Sequence, residues 1–127
     1  MTLRIFLVED NKTIRDSLIP ALEDLASAEA VGFADSEDAA VEWLTEHNDA
    51  WHVAVIDLFL KKGSGLGVLR RCLQRQPHQR AVVLSNYATE DMRSRCRALG
   101  ADAVFDKSNE LEDFMDWCNG LRWRAAS

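Results

Sequence analysis

Val53-Ala54-Val55-Ile56-Asp57 constrains the fold more than any other stretch. Four apolar, mostly β-branched residues end on a single carboxylate. A run of that kind predicts a strand buried on both faces, as in parallel sheets. A loop follows, with Gly63 and Gly65. In open α/β sheets, ligands bind outside the carboxyl ends of the strands. Asp57 therefore stands where chemistry is expected and is taken as the reactive group.

The rest of the chain repeats the pattern around this strand. Leu3 to Val8 predicts a first strand ending in Glu9-Asp10. Ile14, Leu18, Ala21, Leu22 and Leu25 follow at helical spacing, with Pro20 inside, which should kink or shorten that helix. Ala30 to Ala34 reads as a weaker edge strand, and Ser36 as the cap of a helix burying Ala40, Trp43 and Leu44. After the Asp57 strand, Leu66, Leu69, Cys72 and Leu73 mark a third helix, stopped by Pro77. Arg80 to Leu84 is a fourth strand ending at Ser85, and Thr89 caps a fourth helix with the stripe Met92, Cys96, Leu99 and Gly100 at its C′ position. Ala103 to Phe105 is a fifth strand leading to Lys107. Ser108 or Asn109 caps the last helix, which turns Leu111, Phe114, Met115 and Cys118 inward; Asn109 and Glu112 have capping-box spacing. Arg122 to Ser127 reads as a fraying tail.

Five strand–helix alternations predict an α/β fold: a five-stranded parallel sheet flanked by five helices, doubly wound and flavodoxin-like. Right-handed crossovers and two-sided covering favour the order 2-1-3-4-5. The 127 residues suit one domain over 1–127, and no internal repeat, linker or output domain is legible. The hydrophobic share, 47%, supports a sizeable core. A formal charge of −6 without a long basic run argues against direct nucleic-acid binding but not against a protein partner. No apolar run approaches the roughly 20 residues that span a bilayer, and no signal peptide precedes the first strand, which points to the cytoplasm. Cys72, Cys96 and Cys118 fit no disulfide framework or zinc motif and fall on apolar helical positions.

That strand order carries Glu9, Asp10, Asp57, Ser85 and Lys107 to one sheet edge. Three crowded carboxylates resist full ionisation, and a hard divalent cation removes the conflict. Mg²⁺ suits such oxygen ligands. Asp10 and Asp57 would bind directly, Glu9 nearby or through water, and the backbone carbonyl of Phe59 would complete the set. A carboxylate beside a cation can attack a phosphoryl group and form an acyl phosphate. Lys107 would meet one phosphate oxygen and the Ser85 hydroxyl another.

These residues are the ones that carry a family likeness. Leu7-Val8-Glu9-Asp10, Val55-Ile56-Asp57-Leu58, Ser64-Gly65-Leu66, Val83-Leu84-Ser85, and Gly100-Ala101-Asp102 through Asp106-Lys107 resemble a response-regulator receiver domain of two-component signalling, CheY-like, over nearly the whole chain. The resemblance implies a transient phosphoryl group on Asp57, taken from a histidine kinase or histidine phosphotransfer protein. It also implies Mg²⁺ and a switch of the surface made of the fourth helix, fifth strand and fifth helix. That surface would bind an unknown downstream protein or a second copy of the chain. Such a domain is not a turnover enzyme on an external substrate.

Three positions depart from the family pattern. Val104 stands where many receivers carry an aromatic switch residue, and Phe105 points to the opposite face. Ser108 follows the lysine where proline is common, and Lys61 replaces another frequent proline. Phe59 and Tyr87 stand two residues past Asp57 and Ser85, where bulky rings would hinder an attacking water. Arg93, Arg95 and Arg97 read as a solvated face or a docking patch for an acidic partner, and Trp117 and Trp123 as interface residues. Competing functions are a phosphorylation-independent interaction module, a haloacid-dehalogenase-type aspartyl-phosphate phosphatase, and a flavodoxin-like electron carrier. The phosphatase lacks its second acid at Phe59, and the carrier lacks a phosphate loop after the first strand.

Overall fold

Parallel pairing organises the whole chain, because every strand runs in the same direction and each crossover must carry a helix. The computed structural model describes residues 2–25 and 28–126. The elements are β1 (Leu3–Val8), α1 (Lys12–Leu25), β2 (Ala28–Ala34), α2 (Glu37–Glu46), β3 (Val53–Ile56), α3 (Gly65–Arg71), β4 (Arg80–Ser85), α4 (Glu90–Ala98), β5 (Ala103–Asp106) and α5 (Leu111–Ala126). A 3₁₀ turn over Cys72–Gln74 extends α3. The sheet order is β2-β1-β3-β4-β5, as the crossover argument predicts.

Alternation along the strands splits the core in two. Phe6, Val8, Ala54, Ile56, Val83 and Val104 face α2, α3 and α4, packing on Leu44, Val68, Leu69 and Cys96. Ile5, Leu7, Val53, Val55, Val82 and Leu84 face α1 and α5, packing on Leu18, Leu22, Phe114, Met115 and Cys118. The one-residue offset of Val104 and Phe105 has the expected result. Val104 is buried against the α4 side, while Phe105 lies near Phe114 and Trp117, with ring centroids 5.8 and 6.1 Å away. All three cysteines are buried free thiols, and burial pushes the Cys72 thiol up to about 11 and the Cys118 thiol to about 12.

Helix starts follow the local chemistry at two predicted caps. Ser36 Oγ accepts from the Ala39 N–H at 3.2 Å and Thr89 Oγ1 from the Met92 N–H at 3.2 Å. Gly100 closes α4 with φ 95°, a conformation open to glycine.

Elsewhere the structure corrects the sequence reading. Pro20 lies inside α1 as read but does not shorten it: Leu18 and Leu22 on either side are buried on the sheet while the proline sits on the solvent face. Leu73 is not on the buried stripe: the tightening to 3₁₀ geometry rotates it outward, 57% exposed. β2 begins at Ala28 rather than Ala30. The supposed tail is helical to Ala126, anchored by buried Cys118 and Leu121. Neither Ser108 nor Asn109 caps α5. Both instead donate their N–H groups to Asp106 Oδ1, at 2.7 and 3.1 Å, and the Glu110 carbonyl accepts the first helical bond from Phe114. Trp117 is half-buried, its ring edge-on to Phe105. The side chains of Leu25 and Trp123 lie outside the described residues.

Phe114 is fully buried between α5 and the sheet. Phe114→Ala is expected to lower stability by about 3–5 kcal/mol in equilibrium urea unfolding, and a loss under about 1 kcal/mol would contradict this packing.

Candidate functional site

The sheet ladders do not stop where the strands do. Glu9 N–H donates to the Ala34 carbonyl at 3.0 Å, Asp57 N–H to the Val8 carbonyl at 3.0 Å, and Lys107 N–H to the Ser85 carbonyl at 3.1 Å. Each bond fixes one polar residue in register just beyond its strand. The acids thus stay where an apolar core would exclude them, at the rim where the helices begin.

One carboxylate oxygen from each of Glu9, Asp10 and Asp57 lies within 4.8 Å of the others. The Lys107 ammonium sits among them, bonded to Glu9 Oε1 and, at 3.2 Å, to Asp57 Oδ2. These side chains are nearly enclosed: 2% exposed for Glu9, 12% for Asp57 and 13% for Lys107. Burial raises the Glu9 carboxyl above its usual range, Lys107 lowers it, and the neighbouring Asp57 adds to the rise. Glu9 Oε2 is buried with no hydrogen-bond partner among the described residues. An orphaned carboxylate oxygen beside two further acids fits a hard cation that takes oxygen ligands.

The surrounding loops hold this cluster in place. Asp10 Oδ2 accepts the Lys61 N–H at 2.6 Å, tying β1 to the β3–α3 loop. The side chains of Lys61 and Lys62 are themselves exposed. Glu37 Oε1 accepts the Ser64 N–H at 2.8 Å, anchoring the far end of that loop to α2. Within it, a Phe59–Ser64 bridge closes the turn that contains the Phe59 carbonyl. Gly65 passes so close that a Cβ there would lie 2.7 Å from the Leu58 Cα, so only glycine fits. Arg15 Nη1 donates to the Glu9 carbonyl at 2.6 Å while its guanidinium covers the Phe33 ring.

Ser85 is fully buried at the end of β4, beside the Asp57 end of β3 by the Ile56–Val83 register. Its Oγ accepts the Tyr87 N–H at 3.1 Å, a bond that uses a lone pair and not the hydroxyl proton. Tyr87 and Phe59 are both exposed, and their rings meet at 4.3 Å between centroids across the two loops. Glu9, Asp10, Asp57 and Lys107 therefore come together, and Ser85 stands at the end of the neighbouring strand with its side-chain oxygen on the Tyr87 N–H. Missed were Glu37, Arg15, Arg93 and Glu110, whose roles come from contacts 6 to 27 residues apart rather than from local spacing. Arg93 in particular is not a solvated arginine: its side chain is 18% exposed and paired with Glu110.

A model described as the response regulator receiver domain matches residues 5–119. The chain belongs to the response regulator receiver domain family. This receiver is 30% identical over 88 residues to the DNA-binding transcriptional activator DevR/DosR of Mycobacterium tuberculosis; the match takes in 69% of this chain and 40% of that protein. It resembles the crystal structure of a LuxR-family DNA-binding response regulator from Staphylococcus aureus, with a TM-score of 0.81, 16% identity, and 94% and 98% of the two chains covered. A response regulator protein from Burkholderia pseudomallei, solved with a phosphorylated aspartic acid, calcium ion and citrate, is similar at a TM-score of 0.74 and 24% identity, covering 89% of this chain and 64% of that one. At these identities the structural likenesses speak for the fold. No described helix of this receiver is long and apolar enough to cross a membrane.

Burial makes the folded receiver hold the Glu9 proton more tightly than the unfolded chain does. Stability therefore falls as pH rises from the ordinary glutamate value of 4.5 through the raised folded value. In buffer free of divalent cations, Glu9→Gln is expected to be more stable than the parent at pH 7, with the gain shrinking toward pH 4.5. Thermal unfolding across that pH range checks it; a variant less stable at pH 7 would contradict it.

Proposed function

We propose that this receiver accepts a phosphoryl group on Asp57 from a phosphohistidine of a histidine kinase or phosphotransfer protein, with Mg²⁺ as cofactor. The convergence of Glu9, Asp10 and Asp57 around the Lys107 ammonium carries this reading. Asp10, Asp57 and the Phe59 carbonyl would hold the cation, with Glu9 at its side. Bound there, it would neutralise the oxygens of the transferring group. Asp57 needs no general base, since a carboxylate is already the nucleophile. Lys107 and Ser85 then bind phosphoryl oxygens, one as a point charge and one as a hydroxyl donor.

An apolar groove of about 290 Å³ opens beside Lys107 between α1 and α5, lined by Ile14, Leu18, Ala21, Leu84 and Leu111. It gives a helix that presents the phosphohistidine a surface adjoining the acceptor. The acidic balance of the chain, −6, favours a protein rather than a nucleic acid at the output face. That face is α4, β5 and α5, read by a downstream protein or by a second copy. Moving it from 1:99 to 99:1 needs about 5.5 kcal/mol of differential stabilisation. Charge-assisted hydrogen bonds of about 1.5–3 kcal/mol each are the right size to supply it. The role is regulatory, in the cytoplasm, with no external substrate turned over.

Incubation with phosphoramidate or acetyl phosphate and Mg²⁺, read by intact mass, is expected to add one phosphoryl group to the parent and none to Asp57→Asn. A parent that stays unlabelled, or labels equally in the variant, would overturn the assignment. On this reading the Phe59–Tyr87 ring pair, closed over the two loops, would hinder the approach of a hydrolytic water. Phe59→Ala and Tyr87→Ala are therefore expected to shorten the life of the radiolabelled phosphoprotein, and unchanged decay in both would remove that role.

A further inference from the structure

Arg93 reaches three segments of the chain from one position in α4. Its Nε donates to the Ala88 carbonyl at 2.9 Å, its Nη1 to the Val104 carbonyl at 3.0 Å, and its Nη2 to the Glu110 carboxylate. The same Glu110 oxygen accepts the Asp106 N–H at 3.0 Å. Ala88 belongs to the loop that begins after Ser85, and Glu110 to the loop that begins with Lys107. Val104 is the residue of β5 buried toward α4, and its side chain is short and apolar. The Arg93 guanidinium thus joins α4 to both of the site's loops and to β5 at one point.

The guanidinium is planar, with its N–H directions fixed. It can satisfy three acceptors together only while the segments carrying them keep their relative places. Two of the acceptors are backbone carbonyls, Ala88 on the first loop and Val104 on β5, so the contact reports the loop's position against the sheet directly. The pair is also less exposed than an ordinary surface ion pair, at 18% for Arg93 and 31% for Glu110. Arg93 and the Asp106 N–H hold the Glu110 carboxyl below its usual range, so the charge is present at neutral pH.

We propose that Arg93 is the positioning residue through which phosphorylation of Asp57 moves α4. This rests on the receiver reading given above. A phosphoryl group draws Ser85 and Lys107 inward, and each sits three residues before an Arg93 partner. Both displacements arrive at one side chain rooted in α4, and the helix follows. Coupling of this kind depends on a contact that two sites bias together.

The test compares amide NMR spectra with and without beryllofluoride and Mg²⁺, beryllofluoride standing in for the phosphoryl group. The proteins are the parent, Arg93→Ala, Glu110→Gln and Asp57→Asn. In the parent, resonances of Ser85 to Ala88, of Lys107 and of Arg95 to Ala98 are expected to shift. In Arg93→Ala the loop resonances still shift, while the response of Arg95 to Ala98 is lost. Glu110→Gln keeps a neutral acceptor and is expected to show a reduced helix response; it carries the test should Arg93→Ala fail to fold. A merely structural role would lower the melting temperature without separating loop response from helix response. A helix response equal to the parent's in both variants overturns the proposal while leaving the receiver reading intact. No response around Asp57 in the parent, or the same response in Asp57→Asn, overturns the receiver reading and the proposal with it.

Discussion

The Lys107 ammonium, wedged against Glu9 and Asp57, is what lets an acidic cluster exist inside a folded rim. Taking a carboxylate out of water costs several kcal/mol even after relaxation, and here three acids gather at one edge. One buried cation offsets part of that cost and leaves the remainder as a standing electrostatic tension. Glu9, with its raised pKa and its unpartnered oxygen, is where that tension shows. A site in this condition gains from added positive charge. The sheet makes the arrangement durable, because Glu9, Asp57 and Lys107 are each held by a backbone bond that continues a ladder.

Much of this was legible in the order of residues along the chain. Val53–Ile56 could only be a strand covered on both faces, and the alternation around it left one reasonable strand order. Once that order is set, Glu9, Asp10, Asp57, Ser85 and Lys107 must share an edge. Ser36 and Thr89 were readable because a cap needs only its own helix. Failures came where a neighbour decides. Pro20 lies inside α1 as read but does not shorten it, because Leu18 and Leu22 on either side are buried, which local propensity does not count. The start of α5 passed to Asp106 and Glu110, since the Asp106 carboxylate collects the N–H groups that Ser108 and Asn109 bring. Arg93 looked like one of three alternating surface arginines, and only the fold brings Ala88, Val104 and Glu110 within its reach.

The aromatic residues singled out in the sequence find different places. Phe105 turns into the α1–α5 core beside Phe114, away from the face where an aromatic switch would act. Phe59 and Tyr87 instead join rings over the loops that flank the acids. Aromatic bulk thus lies over the loops beside the acids, while α4 is tied to β5 and the loops by polar contacts. On the proposal made above, events at the acids would reach α4 through the hydrogen-bonded loops that Arg93 joins, rather than through a ring that swings between two wells.

The most direct measurement is a calorimetric Mg²⁺ titration of the intact chain at constant ionic strength, repeated on Asp10→Asn. Saturable uptake of one ion per chain, abolished in the variant, is the result this account predicts. Heats that scale with salt alone, or identical binding curves for both proteins, would contradict the claim that these carboxylates are gathered to hold a divalent cation.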